Sequence, residues 1–211
     1  VDEDASEQIK AEEGSFLQSK IDLNIAHDTR DSVFITRSGH KVQAGLMYSG
    51  LGGDVEVFGT SIEAAQYVSL PYDMIFSVEG AIRTADGPDE VPIFERLFLG
   101  GANNLRGFDY RDVGPKDDTG EPLGGQTSAY ASLELSFPII EKVRGAVFYD
   151  VGMVSGDSYD WGGEVNSDFG FGLRLFFLPT GPIRLDFGIP VQADEYNDSG
   201  GKFNFNLGYK F

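Results

Sequence analysis

One arginine in the middle of this sequence, and two acidic residues that follow it, have the types and spacing to form a charged site. Arg106 lies in the stretch Leu-Arg-Gly-Phe at 105–108, and Glu134 and Asp150 follow in segments where apolar and polar residues alternate. An arginine side chain keeps its charge, so a buried Arg106 needs carboxylate partners. The glycine at 107 allows a sharp backbone turn that leaves the guanidinium projecting. The pattern predicts an ion-pair cluster that braces a loop.

The sequence has no competing pattern for catalysis or for metal binding. His27 and His40 are isolated, because they lie 13 residues apart without a ligand pattern between them, and the chain has no Cys. Gly100 and Gly101 are not followed by the Lys and Ser or Thr that a phosphate-binding loop requires. We therefore expect that the protein is not an enzyme and that it binds no metal and no cofactor.

The composition limits the classes of partner. A formal net charge of -18 and a pI near 4.3 disfavour nucleic acid, since its phosphates would be repelled. No apolar run reaches the roughly 20 residues that a membrane-spanning helix requires. If the chain contacts lipid, it must do so as a β-barrel, because only helices and closed barrels satisfy their backbone polar groups in hydrocarbon.

Strict alternation of apolar and polar residues predicts β-strands, and it is cleanest at the C-terminal end. The apolar set there is Phe203, Phe205, Leu207, Tyr209 and Phe211. The same pattern predicts about nine strands, at 16–28, 40–49, 60–70, 73–84, 127–138, 142–153, 168–178, 182–191 and 202–211. A soluble sandwich could show this alternation too, so the connections must decide between the two classes.

The predicted connections alternate between short and long. The short ones are 29–39, 71–72, 139–141 and 179–181. The long ones are 50–59, 85–126, 154–167 and 192–201. Outer-membrane barrels have short periplasmic turns and longer outer loops, so the asymmetry favours an antiparallel transmembrane β-barrel. We expect residues 1–14 to be an acidic outer loop or tail, and 15–211 to be barrel, with 85–126 folded back into the lumen.

An odd number of strands predicts that the chain is a piece of a larger barrel, because complete bacterial barrels have an even count. The alternative is a count that is wrong by one, with a strand overlooked within 1–14. The sequence also begins without Met and without a secretory leader, so we expect the segment that directs export to be missing.

Four features, at residues 28–39, 94–101, 105–108 and the terminal Phe211, resemble the bacterial surface antigen family, also called the BamA superfamily, whose members insert or translocate proteins at outer membranes. Residues 94–101 resemble the family's aromatic and glycine lead-in, and 28–39 resemble its D-x-R-D turn, with Thr36 where the family usually has Pro. The terminal Phe211 resembles the signal by which outer-membrane proteins are recognised. The family's tip motif on the sixth outer loop is matched by Leu105, Arg106, Gly107 and Phe108, with Leu in place of the usual Val.

This resemblance implies a C-terminal part of a sixteen-stranded barrel, in which Arg106 pairs inside the lumen with Glu134 and Asp150. It implies a bacterial outer-membrane assembly factor that inserts proteins by strand addition at a lateral seam. The implied partners are unfolded outer-membrane protein clients, outer-membrane lipids, accessory lipoproteins, the N-terminal barrel strands and POTRA domains. The seam and terminal signal would comprise Phe203, Phe205, Leu207, Gly208, Tyr209 and Phe211.

Three alternatives stay open at this point. A two-partner secretion transporter shares the tip motif and would export an unfolded polypeptide, with a plug helix and two POTRA domains upstream. A TamA-type assembly factor is a closer relative of the same superfamily. A passive porin or a small structural barrel would have no reason for an arginine loop that faces two lumenal acids. The sequence upstream of these residues would discriminate between them.

Overall fold

The computed structural model describes residue 10 and residues 14–177, 182–194, 196–197 and 200–208. Its strands are β1 (Lys20–Asp28), β2 (Gly39–Ser49), β3 (Val57–Leu70), β4 (Met74–Asp86), β5 (Thr127–Ile140), β6 (Val143–Ser155), β7 (Val165–Leu175), β8 (Ile183–Gln192) and β9 (Lys202–Leu207). A single 3-10 turn, Pro71–Asp73, joins β3 to β4. No helix in the described ranges is both long enough and apolar enough to cross a membrane.

The nine strands form one open sheet in sequence order, and every neighbouring pair is antiparallel. This confirms the all-β prediction and its strand count. The outer face carries large apolar side chains that are exposed, such as Phe171 at 58% and Phe203 at 66%. Contiguous apolar surface of this extent is rare on soluble monomers and is the normal lipid-facing surface of an outer-membrane barrel.

Several predicted strand bounds were wrong by a few residues. β1 begins at Lys20 instead of 16, because Leu17 exchanges hydrogen bonds with Asp54 in a loop before the ladder starts. β3 begins at Val57 instead of 60, opposite Ser49, and β7 runs from Val165 to Leu175 instead of 168–178. Tyr209, Phe211, most of 1–14 and the turn at 179–181 lie outside the described residues.

The long loop between β4 and β5 packs against the inner face of the sheet, as predicted. Short bridges within it pair Leu97 with Gly125 and Leu99 with Val113. Its apolar core cluster consists of Leu99, Leu105, Phe108, Val113 and Val154. A second small cluster supports the loop's start and consists of Val55, Val57, Ala85 and Val91. The buried apolar core therefore lies between loop and sheet, which fixes the loop tip in place.

Candidate functional site: an arginine cluster under the loop tip

The loop tip is a tight turn between two buried apolar anchors. Leu105 is fully buried and Phe108 is 1% exposed, and the Phe108 amide donates to the Leu105 carbonyl. The Gly101 amide donates to the carbonyls of both anchors, and the Asn104 side-chain oxygen accepts from the Leu105 amide. Arg106 lies between these two buried residues, and its side chain points from the turn toward the sheet.

Arg106 uses its whole guanidinium on β5 and β6. Nε and Nη2 donate to the two carboxylate oxygens of Asp150, each at 2.8 Å, and Nη1 donates to Glu134 at 2.6 Å. Nη2 also donates to the Ser132 hydroxyl at 2.9 Å, and the group lies 3.5 Å from the centre of the Phe148 ring. Bidentate charged hydrogen bonds of this kind are strong and directional. The structure thus brings Arg106 together with Asp150 and Glu134, and it adds contacts with Ser132 and Phe148 that the sequence did not indicate.

The ion pairs extend beyond these two acids. Glu134 also accepts from Arg174 at 2.7 Å, and Arg174 donates to Asp186 at 2.7 Å. Arg184 lies 3.7 Å from the far oxygen of Asp186. We call these six residues the arginine cluster: Arg106, Arg174, Arg184, Glu134, Asp150 and Asp186. Because each charge in a buried network depends on its neighbours, removal of one member affects the others.

Glycines let the loop backbone approach the sheet. A Cβ at Gly188 would lie 2.5 Å from the Gly107 amide nitrogen and 2.6 Å from the Arg106 carbonyl oxygen, and a Cβ at Gly107 would lie 2.4 Å from the Asp168 Cβ. Gly107 lies in a turn, but its φ is not in the left-handed region. Close packing against β7 and β8, and not a left-handed φ, is therefore what requires a glycine at this position of the turn.

Asp168 is buried beside the cluster in a different situation. It faces Asp150 in the register of β6 and β7, and neither of its carboxylate oxygens has a hydrogen-bond partner among the described residues. A buried carboxylate without a partner is unfavourable. The Asp168 side chain is therefore held by its packing against Gly107 of the loop tip, and not by hydrogen bonds among the described residues.

The last strand contacts the loop with its inner face and presents its predicted seam residues outward. Phe203, Phe205 and Leu207 are all exposed on the outer face. Gly208 has a φ of 104°, a conformation that favours glycine and that turns the chain after the strand. Hydrogen bonds on the inner face run from Lys202 to Asp109 at 2.7 Å, from Asn204 to the Arg106 carbonyl at 2.7 Å, and from Asn206 to Asn103 at 2.9 Å.

A second set of charged residues connects turns and strands at the opposite end of the sheet, where the short turns lie. Asp73 in the 3-10 turn forms ion pairs with Arg37 in the β1–β2 turn and, at 2.9 Å, with Arg144 on β6. The Arg37 guanidinium, followed by that of Arg144, holds the pKa of the Asp73 carboxyl below its ordinary value. Two turns and the start of β6, which are distant in sequence, are thereby fixed to one another.

The histidines were wrongly predicted to be isolated. The pairing of β1 with β2 brings His27 Nδ1 to 3.2 Å from His40 Nε2, and the Thr29 hydroxyl lies 3.1 Å from His40. Among the residues that the structure describes, no group of three or more His, Cys, Asp or Glu side chains is arranged around a metal position. The two rings form a small polar contact at a turn.

Sequence reasoning identified Arg106, Glu134 and Asp150 but missed most of their neighbours. Arg174 and Asp186 could have been found from the sequence, because each is a charged residue on the inner face of an otherwise apolar strand. The missed neighbours among the described residues include Ser132, Phe148, Asp168, Arg174, Arg184, Asp186, Gly188 and Asn204.

An antiparallel sheet with an apolar outer face, and with a long loop clamped to its inner face by a buried arginine, defines an outer-membrane type of β-barrel protein. The family model of the Omp85 superfamily domain matches residues 2–211, and the chain belongs to that superfamily. This confirms the family resemblance seen in the sequence.

Named relatives agree with this assignment. The chain is 28% identical over 221 residues to the outer membrane protein assembly factor BamA of Nitratidesulfovibrio vulgaris, covering 100% of this chain and 28% of that protein. It is 27% identical over 211 residues to a SAM50-like protein of Drosophila melanogaster, covering 94% of this chain and 46% of that protein. The chain thus spans less than half the length of either relative.

A solved structure has the same fold. The crystal structure of BamA from Haemophilus ducreyi lacking POTRA domains 1-3 matches with a TM-score of 0.74 at 21% sequence identity. The match covers 90% of this chain and 42% of that one. The nine-stranded sheet therefore has the arrangement of strands found in part of the BamA barrel.

Proposed function

We propose that this chain is part of an outer-membrane barrel that folds and inserts client β-barrel proteins. The observation that carries the proposal is the clamp of Arg106 onto Asp150 and Glu134, in a chain that aligns along its full length with a BamA assembly factor. The clamp positions a loop inside the sheet. The arginine cluster therefore acts as a scaffold and performs no bond chemistry, so the proposed activity is not enzymatic.

The proposed mechanism uses the free edge of β9. One edge of this strand pairs with β8, and no strand in the described part of the chain pairs with the other. Unpaired backbone donors and acceptors on such an edge are a template for strand addition. A client strand would pair there while the glycines at 200, 201 and 208 let β9 bend. The free energy would come from the folding of the client, which replaces exposed edges with closed ones.

The proposed setting is the bacterial outer membrane. The proposal follows the BamA relative, which matches 100% of this chain at 28% identity; the SAM50-like relative of Drosophila melanogaster matches 94% of it at 27% identity. The proposed partners are unfolded outer-membrane proteins, membrane lipids, accessory lipoproteins, further barrel strands and POTRA domains. The apolar outer face supplies the contact with lipid.

The second candidate function is translocation of an unfolded polypeptide through the lumen, as in secretion transporters of the same superfamily. The cavity between the loop and the strands favours its consideration, because it measures about 640 Å³ and is lined by polar groups such as Arg83, Arg96 and Asn104. Translocation requires the loop to leave this space, whereas assembly at the seam allows the loop to stay clamped.

One experiment separates the two candidates. The protein is reconstituted in vesicles of phosphatidylethanolamine and phosphatidylglycerol, and an unfolded outer-membrane barrel protein is added together with protease. We expect faster formation of the folded, membrane-inserted client than in empty vesicles. Equal rates in both vesicles would overturn the proposed function. A client that becomes protease-protected inside the vesicle without forming a barrel would replace it with translocation.

A further inference from the structure

We infer that the loop tip latches the last strand, so that the arginine cluster controls whether β9 stays paired in the sheet. The latch is defined by three side chains of β9 and their loop partners, and Asn204 is its central positioning residue. Its importance for client insertion rests on the proposed function, whereas its existence does not.

The latch follows from the alternation of β9. Lys202, Asn204 and Asn206 point inward at every second position, and each donates a hydrogen bond to the loop between Asn103 and Asp109. Polar residues at every second position are ordinary for a water-facing strand, so the indication of a latch is that all three side chains donate to acceptors on the loop. The row of three contacts therefore fixes the register of β9 against the loop as well as against β8.

Asn204 connects the latch directly to the arginine cluster. Its amide donates to the carbonyl oxygen of Arg106, and the amide and guanidinium of that same residue are bound by Asp150. Displacement of the guanidinium from Asp150 would move the carbonyl that Asn204 needs. Loss of the buried ion pair between Arg106 and Asp150 of β6 would thereby loosen β9 at the edge of the sheet.

Among the described residues, the ladder with β8 is the other main support of β9. Its described register with β8 extends over six residue pairs, from Ile183 with Leu207 to Gly188 with Lys202, and its apolar side chains face outward. The Lys202–Asp109 pair lies at the exposed rim, where such pairs contribute little. The half-buried Asn204 contact is therefore the strongest part of the latch.

The test is hydrogen exchange of the β9 backbone amides in the membrane-embedded protein without any client. The Gly208 amide donates to the Pro182 carbonyl, and hydrogen-bonded pairs alternate along an antiparallel ladder, so the Asn206 amide faces β8 as well. Asn204→Ala should raise the exchange rate of the Asn206 and Gly208 amides about fivefold, the effect of one lost hydrogen bond. Arg106→Ala should raise it at least as much. Adding Asn204→Ala to Arg106→Ala should cause no further increase, because the two residues act in series. Asn24→Ala on β1, at the opposite edge of the sheet, is the matched control.

A cross-link provides a second measurement that does not depend on a destabilised variant. The 211 residues contain no Cys, so Asn103→Cys with Asn206→Cys gives a unique pair within them for a short bismaleimide. The cross-link should slow β9 exchange and should cancel the effect of Asn204→Ala. Unchanged β9 exchange in all variants, or independent and additive effects of Asn204→Ala and Arg106→Ala, would overturn the latch. If the latch is overturned but the protein in vesicles still inserts clients, the proposed function is unaffected.

Discussion

Asp150 holds Arg106 by three hydrogen bonds, two to the guanidinium and one to the backbone amide. The guanidinium bonds are both 2.8 Å long and the amide bond is 3.2 Å long. One carboxylate thus fixes both the direction of the side chain and the position of the turn that carries it. The loop tip cannot shift along the sheet without breaking all three bonds.

Arg106→Ala should destabilise the protein more than Arg111→Ala. Loss of one partner from a buried ion pair costs about 3 to 5 kcal/mol. Arg111 is exposed, and its described contact is with the face of the Phe98 ring at 3.7 Å, worth about 0.5 to 1 kcal/mol. The free energy of unfolding in urea, measured in lipid vesicles, checks this difference. Equal losses in the two variants would contradict the assigned role of Arg106.

Asp150→Asn and Asp168→Asn should have different effects, although the two residues face each other across β6 and β7. Asp150→Asn removes the charge opposite Arg106 and should cost about 3 kcal/mol. Asp168→Asn replaces a buried carboxyl group that faces Asp150 and has no hydrogen-bond partner in the described structure, so stability should stay the same or rise. The same unfolding measurement compares them, and a larger loss in Asp168→Asn would show that this carboxylate is paired.

Gly188→Ala should displace the loop tip, because the added methyl group would overlap the backbone of Arg106 and Gly107. Overpacking of this kind costs about 1 to 3 kcal/mol. Gly156→Ala is the control, since the nearest atom to its new methyl group, on Pro115, lies 3.9 Å away. Limited proteolysis of the loop reports the displacement. Identical cleavage of the two variants would mean that the loop does not rest on Gly188.

Much of the fold could be predicted because the strands alternate strictly. Every second residue of the last strand is apolar, and the prediction placed its start at Lys202, where the structure has it. The ends of strands were predicted less accurately where a side chain accepts a backbone hydrogen bond that a neighbouring strand would otherwise accept, as Asp54 does from the Leu17 amide. β-bulges shift the register near Pro138 and near Ser167, and single-sequence alternation gives no measure of such shifts.

The site was only partly predictable for a related reason. Arg106 stood out because glycine and apolar residues surround it, and the acids at Glu134 and Asp150 stood out in otherwise apolar strands. Asn204 carries no charge and resembles any polar residue of a lumenal face. Its contact with Arg106 joins residues 98 positions apart, so it depends on how the loop crosses the sheet. Periodicity contains no information of that kind.

The short-turn end of the sheet should lose stability in acid through Asp73. The pKa of this carboxyl is lowered in the folded state, so its ion pairs stabilise the fold above the ordinary value of 3.8 and are lost as the pH falls through the lowered value. Asp73→Asn should therefore reduce stability at about pH 6 and flatten its decline as the pH falls below about 4. Thermal unfolding over this range checks the effect.

Asp89→Asn, in an exposed part of the long loop, is the control for this measurement. It should retain the decline in acid that the unsubstituted protein shows. A decline in Asp73→Asn as steep as that of the control would assign the acid sensitivity to other carboxylates.

The most direct test of the central claim is the rate of client insertion by Arg106→Ala in vesicles, with Arg111→Ala measured beside it. If the buried arginine positions the loop for assembly, Arg106→Ala should insert the client at least about tenfold more slowly, which corresponds to about 1.4 kcal/mol. Arg111→Ala should match the unsubstituted protein. A folded Arg106→Ala protein with an undiminished insertion rate would contradict the account, because the clamp would then hold a loop that assembly does not use.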